Sequence, residues 1–474
     1  MNKILLLFAF VVWGFSCTSQ KTTNNKIQQF VDEFTADSCF YSAGIGIIIK
    51  DVEKGKILAQ HNSKLALTPA SSQKLVTTAS ALEILGGDYQ FKTLIETDGN
   101  IENRKLKGNL IITGGGDPTL ESKYFESQQN IANRIASKLK KLNISTINGN
   151  ILVDNSYFKP SIPRTWIWED IGNYYGAVPN AINYRDNMYT LYFKSGKAGN
   201  KTKIWKTVPH NTGLEFDNQV LSSEINRDLA YIFGGNTSNL RRIEGSIPQN
   251  RNEFKVKGAF LHPEFALLDD LKSELKNNNI RVLNQKIKPR TNRKKLFEIP
   301  SPKLKEIVYW TNQKSVNLFA DQLLFEIAQK KNEKADWKTG TNTINEFWKA
   351  KGIETKYQNL LDGSGLSHFN AISAEFFSQI LTDMYHSKNY DAFLSSLPVA
   401  GKSGTLKYFG KGSELVNNWK AKTGSMTGVR TFCGYLKNSE GKTYIVCILI
   451  NNHHCSSKEL NNKLLKLLIH TYNY

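Results

Sequence analysis

Cysteine is scarce, with five in 474 residues, and this excludes a disulfide-dense scaffold. No two of Cys17, Cys39, Cys433, Cys447 and Cys455 form a CxxC pair, so a zinc ribbon or a thioredoxin-type site has no support. Proline (12) and glycine (33) are too few for a low-complexity or collagen-like chain. Beyond the N-terminus no run reaches about 18 uninterrupted apolar residues, so no permanent membrane helix is read. Acidic residues fall short of basic ones, 42 against 62, for a formal charge of +20. Such a charge favours anionic partners: wall polymer, lipid head groups or nucleic acid. Hydrophobic residues make up 40%, enough for a sizeable core and against wholesale disorder.

Met1–Ser16 has a short positive start, an apolar run from Ile4 to Trp13 and small residues at its end. That is the pattern of a secretory signal, and it places the protein in the periplasm or cell envelope. Cys17 and the polar stretch after it resemble a bacterial lipoprotein signal, with Cys17 as the lipidated residue and a membrane tether. Ordinary cleavage nearby, with Cys17 incidental, is the alternative. Residues 17–38 read as a tether leading into a first helix.

Tyr41–Ile49, a turn at Asp51–Lys56 and Ile57-Leu58 read as a hairpin. After Pro69, the spacing of Leu75, Val76, Ala79, Leu82 and Leu85, closed by Gly86-Gly87, predicts a helix. Residues 93–302 read as mostly β with one helix at about 130–141, an inserted accessory region expected to form two small domains. Helical periodicity returns at Leu304 and runs to about residue 330 through Val316, Phe319, Leu323 and Ile327. Glu414–Lys437 and Lys442–Asn451 read as two strands joined at Asn438–Gly441. A last helix carries Leu460, Leu464, Leu467 and Leu468. The ends of the chain, 39–92 and 303–474, thus form one α/β (α+β) domain split by a long, mostly β insertion.

Three short motifs carry chemistry. Ser71 and Lys74 open the first of these helices at i and i+3, one turn apart on one face. A serine hydroxyl needs a base beside it, and a lysine can serve if burial lowers its pKa. Ser315 and Asn317 flank Val316 of the apolar stripe, so both reach a cleft only if the helix is interrupted there. Lys422, Thr423, Gly424 and Ser425 lie on a strand. Lys422 and Thr423 offer a cation and a hydroxyl for a carboxylate, and Gly424 suits the close approach of a ligand. Each motif alone also reads as a solvated helix face, two exposed polar residues, or a bulged strand. Their order, SxxK then SxN then KTG, is the informative feature.

With these motifs, and with Gly114–Pro118, Asp362–Ser367 and Gly401–Leu406, the sequence resembles the peptidase S13 family, the low-molecular-mass class C penicillin-binding D-Ala-D-Ala carboxypeptidases. The spacing of 241 positions from Lys74 to Ser315 matches that family's inserted accessory region. The resemblance implies a penicillin-binding/β-lactamase-like transpeptidase fold and no cofactor or metal. It implies that Ser71 attacks the terminal D-Ala-D-Ala bond of peptidoglycan stem peptides and that Lys74 takes its proton. Ser315, with Lys422 behind it, relays a proton to the leaving amine, and Asn317 binds the peptide backbone. Thr423 and Ser425 hold the terminal carboxylate, with Lys422 adding positive potential and Gly424 in the same substrate-binding stretch. Crosslink endopeptidase action and covalent inhibition by β-lactams are implied too. Nucleic acid is not an expected partner. A β-lactamase or esterase on the same fold, and a non-catalytic wall-binding protein, are the rival readings.

Two further expectations concern sulfur. Cys433 and Cys447 fall nearly opposite one another across the Asn438–Gly441 turn and are expected as buried free thiols. His453-His454-Cys455 is either a metal cluster or a strand end running into a helix cap, the latter being favoured because no second ligand pair has zinc-like spacing.

Overall fold

The computed structural model describes residues 26–210, 213–285, 287–331 and 335–474. The leader Met1–Ser16 and Cys17 lie outside the described residues.

In chain order the elements used below are helix α1 (Lys26–Thr35), strands β1 (Gly44–Asp51) and β2 (Ile57–His61), and helix α2 (Lys74–Leu85). The insertion follows with α3 (Ile131–Lys141), β3 (Met188–Lys194), β4 (Lys203–Val208), β5 (Phe254–Ala259) and α4 (Pro263–Asn277). The chain then returns through α5 (Leu304–Lys314), α6 (Asn317–Lys330), α7 (Trp337–Ala350) and α8 (Ala374–Tyr385). It ends in β6 (Trp419–Met426), β7 (Val429–Lys437), β8 (Thr443–Asn451) and α9 (Ser457–Tyr472).

The two chain ends build one antiparallel sheet in the order β2-β1-β8-β7-β6. Its two faces pack into separate cores. On one side Ile48, Leu449 and Ile445 meet α2, α6 and α8; on the other Ile47, Ile448 and Phe432 meet α1 and α9. The alternation along each strand feeds both cores, so the strands are apolar nearly throughout. Helix α2 lies deepest: Leu75, Val76, Ala79, Ala81 and Leu82 are buried, as expected of a helix apolar on every side. It stops at Gly86, whose φ of 89° suits glycine.

Three expectations are corrected. Within the expected tether, Lys26–Thr35 is helix α1, which buries Ile27, Val31 and Phe34 against the α9 side of the sheet. Glu414–Lys437 is not one strand. Glu414–Asn418 is a turn, and β6 and β7 follow as a hairpin across Thr427-Gly428, with Gly428 at φ 70°. The alternation runs through both strands, and only the glycine interrupts it. The insertion holds a second long helix, α4, with Pro263 in its first turn. Its hydrophobic core is continuous from Ile95 through Ile135, Leu191 and Ile243 to Leu271 and Ile299.

Cys433 and Cys447 face each other in register on β7 and β8, buried and free. Cys39 and Cys455, 416 positions apart, form a disulfide that fastens the segment after α1 to the start of α9. Cys455 therefore belongs to the connection from β8 into α9, whose N-cap Ser456 accepts from the Glu459 amide.

Candidate active site

Pro69–Gln73 makes a tight turn before α2, with Ala70 in the left-handed region at φ 45°. Strain of this kind persists only where surrounding structure imposes it. Here Thr431 on β7 donates to the Pro69 carbonyl at 2.8 Å and meets the Ser72 hydroxyl at 2.7 Å. Gly424 is part of that clamp. A Cβ there would sit 2.5 Å from the Pro69 oxygen and 3.0 Å from the Ala70 Cβ. The glycine thus seats β6 against the turn, and the space above it is filled by protein, which corrects the expectation of ligand approach at that Cα.

The clamp sets Ser71, half-buried, at the mouth of the buried Lys74. Lys74 Nζ donates to Ser71 Oγ at 3.0 Å, to Asn317 Oδ1 at 2.6 Å and to the Ser364 carbonyl at 2.6 Å. Burial lowers the Lys74 pKa to about 8, against the opposing pull of Asp321 and Asp362. Burial, and then the Asp362 charge, push Asp321 well above the usual carboxylate range despite Lys74. A neutral Asp321 supports the ammonium less, so both effects favour the free amine.

Ser315 and Asn317 reach the same cavity because the helix breaks. Helix α5 ends at Ser315, whose φ of 55° turns the chain, Val316 is extended, and α6 begins at Asn317. Lys422, fully buried on β6, donates from Nζ to Ser315 Oγ at 3.0 Å and to the Thr423 carbonyl at 2.8 Å. Burial and the charge of Lys74 hold its pKa well below that of a free lysine. Thr423 donates to Thr405 Oγ1 at 2.8 Å, and Ser425 is exposed on the cleft wall. The eight motif residues therefore converge in one place.

Asn317 is committed at both ends. Its Oδ1 accepts from Lys74 and its Nδ2 donates to the Tyr175 carbonyl at 2.9 Å. It holds the lysine as much as it faces the cleft.

The Asp362–Ser367 segment, which the sequence marks without giving it a role, is held by contacts from distant parts of the chain. Asp362 Oδ1 accepts from the Gly365 amide, Asn370 Nδ2 and Gln73 Nε2, and Oδ2 from Trp166 Nε1 and the Ser367 amide. This fixes the 362–367 loop that presents the Ser364 carbonyl to Lys74. Trp166 belongs to the insertion, which therefore builds one wall of the cleft. The cleft measures about 660 Å³ and is lined on that side by Tyr124, Glu169, Asp170, Tyr175 and Met188. Among the described residues Asp170 Oδ2 has no hydrogen-bond partner, and it lies 3.7 Å from His368 Nε2.

A serine with a buried lysine one turn away, a second serine–lysine pair facing it, and a five-stranded antiparallel sheet behind them define an active-site-serine acyltransferase of the penicillin-binding/β-lactamase-like class. The match to the D-Ala-D-Ala carboxypeptidase 3 (S13) family extends over residues 27–469, and the chain belongs to that family. The D-alanyl-D-alanine carboxypeptidase DacB of Haemophilus influenzae is 27% identical over 438 residues, covering 89% of this chain and 88% of that one. The D-alanyl-D-alanine carboxypeptidase of Actinomadura sp. (strain R39) is 25% identical over 450 residues, covering 90% and 81%. The crystal structure of penicillin binding protein 4 (dacB) from H. influenzae superposes with a TM-score of 0.77 at 26% identity, over 94% of this chain and 98% of that one. The protein is a serine DD-carboxypeptidase by family.

Proposed function

We propose that this enzyme removes the terminal D-Ala of peptidoglycan stem peptides through an acyl-enzyme on Ser71. The observation that carries this reading is the 3.0 Å contact between Ser71 Oγ and Lys74 Nζ, an amine that burial brings to a pKa of about 8. In its neutral form Lys74 takes the Ser71 proton as Oγ attacks the carbonyl carbon of the penultimate D-Ala. The amide groups of Ser71 and Ser425 receive the oxyanion. Ser315, hydrogen-bonded to Lys422, relays that proton from Lys74 to the leaving nitrogen, so that free D-Ala departs and Lys74 is again a neutral base. Lys422, Thr423 and Ser425 hold its carboxylate. Water, deprotonated by Lys74, then hydrolyses the ester. Asn317 orients Lys74 and ties it to the insertion.

A crosslinked peptide differs only in what the leaving amine belongs to, and a cleft of about 660 Å³ leaves room beyond a dipeptide. The same residues therefore serve DD-endopeptidase action. β-Lactams, as strained mimics of the acyl donor, acylate Ser71 and leave slowly. A wall substrate together with the Met1–Ser16 leader and Cys17 supports export to the cell envelope, with Cys17 as the anchor. Among the described residues no helix is long and apolar enough to cross a membrane.

Incubation with a stem pentapeptide ending in D-Ala-D-Ala tests the reading. Release of one D-Ala per peptide is expected. Rapid turnover of penicillin without D-Ala release would instead make the protein a β-lactamase.

A further inference from the structure

The β3–β4–β5 sheet of the insertion has one face that the fold explains and one that it does not. Tyr189, Leu191, Phe193 and Val256 point inward and are buried in the insertion core. The opposite face carries Thr190, Tyr192 and Lys194 on β3, at the period of two that a strand dictates. Lys257 pairs with Thr190 and Lys255 with Tyr192 across β5, and Lys206 pairs with Tyr192 across β4. All share that outer face. A bulge in β4 adds Trp205, which is 44% exposed and lies 6.0 Å from Tyr192, centroid to centroid. The Lys206 and Lys255 amines sit 5.1 and 5.2 Å from the Tyr192 ring, and that of Lys194 lies 5.4 Å from the Trp205 ring.

Cross-strand lysine–aromatic pairs steady a sheet, but they do not require four cations on one face. Of Lys194, Lys206, Lys255 and Lys257, only Lys255 has an ion-pair partner among the described residues, Glu253 at 3.2 Å. The face is also continuous with the cleft. Met188, the first residue of β3, lines the cleft beside Lys123 and Asp186, and the charge of Lys257 acts on both of those residues.

We propose that this outer face docks the glycan strand, with its acidic stem peptides, to which the scissile peptide is attached. The identity of the polymer rests on the DD-carboxypeptidase reading. Unpaired lysines complement peptide carboxylates, and Trp205 and Tyr192 present ring faces on which the flat apolar side of a sugar can lie. A peptide held in the cleft and its own strand held on the sheet bind as two linked contacts, so weak individual contacts yield firm retention on the wall. A lipid surface would be served by the same charge but not by a face that begins at the cleft wall.

The test is the triple charge reversal Lys194→Glu, Lys206→Glu, Lys255→Glu in the full-length enzyme, with Trp205→Ala as a second variant. All four residues are exposed and outside the catalytic machinery. Binding and D-Ala release are measured on purified sacculi, alongside D-Ala release from a soluble pentapeptide and labelling by fluorescent penicillin. The expected result is roughly tenfold weaker sedimentation with sacculi, from three exposed charge contacts of modest individual strength. Release from sacculi falls in parallel, while pentapeptide release and penicillin labelling stay unchanged. Added salt should mimic the triple variant on the parent enzyme. Sedimentation and sacculus turnover equal to the parent would overturn the proposal. So would loss of binding to anionic lipid vesicles with sacculus binding intact, which would assign the face to a membrane. If the parent releases no D-Ala from the pentapeptide, the catalytic reading fails, and the sedimentation comparison still decides the surface.

Discussion

Asn317 Nδ2 donates to the carbonyl oxygen of Tyr175 at 2.9 Å, and its Oδ1 accepts from Lys74 Nζ at 2.6 Å. One amide thus links the base to a loop of the insertion. Asn317→Asp keeps the size but sets a negative charge on Lys74 and removes the donor to Tyr175. An opposite charge so close raises an amine's pKa by about one unit or more. The rising limb of the pH–acylation profile should therefore move upward by about one pH unit or more. An unshifted profile would deny Asn317 its role in setting Lys74.

In the parent enzyme Lys74 must be neutral to accept the Ser71 proton. Acylation by a β-lactam should therefore rise with pH and level off above about 8. Burial and the charge of Lys74 also lower the pKa of Lys422, and its deprotonation removes a positive charge from the carboxylate site, so peptide kcat/KM should fall relative to β-lactam acylation as pH rises through that step. Lys74→Arg, whose guanidinium stays charged at any pH the fold survives, should lose about 10²-fold or more in acylation without a rising limb.

Much of this site is legible in the sequence because its chemistry is local. Ser71 and Lys74 are one helical turn apart, and the demand that Ser315 and Asn317 share a cleft already requires a break at Val316, which the left-handed Ser315 supplies. The position of Cys433 opposite Cys447 follows from one turn. What does not show is carried by long-range contact. Nothing near Asp362 indicates that Trp166 will reach it, and nothing near Cys39 indicates Cys455. Gly424 reads as a ligand approach because strand glycines often are, whereas its neighbour is the Pro69–Gln73 turn that carries Ser71. Helix α4 hides in a β-rich stretch although Pro263 marks its start.

Asp362 takes five hydrogen bonds while 1% exposed. Asp362→Asn should be nearly as damaging as Asp362→Ala, because an amide nitrogen placed against Trp166 Nε1 and the Ser367 amide meets two donors. A loss of about 3 kcal/mol or more is expected from buried donors left unsatisfied. Thermal denaturation of the two variants, with penicillin labelling of what remains folded, checks both size and cause.

The Cys39–Cys455 disulfide closes almost the whole described chain. Its removal by Cys39→Ser with Cys455→Ser should cost about 2–5 kcal/mol, read as a lower melting temperature, without changing the pH profile of acylation. In the folded parent, Cys433 and Cys447 should resist alkylation until denaturant is added, since both are fully buried.

The central claim is that Ser71 is the nucleophile and Lys74 its base. The most direct measurement is mass spectrometry of peptides from penicillin-treated enzyme, run on the parent, Ser71→Ala and Lys74→Arg. The account predicts a penicilloyl adduct on Ser71 in the parent, none in Ser71→Ala, and at least about 10²-fold slower adduct formation in Lys74→Arg. An adduct on any other residue, or one that forms in Ser71→Ala at the parental rate, would contradict it.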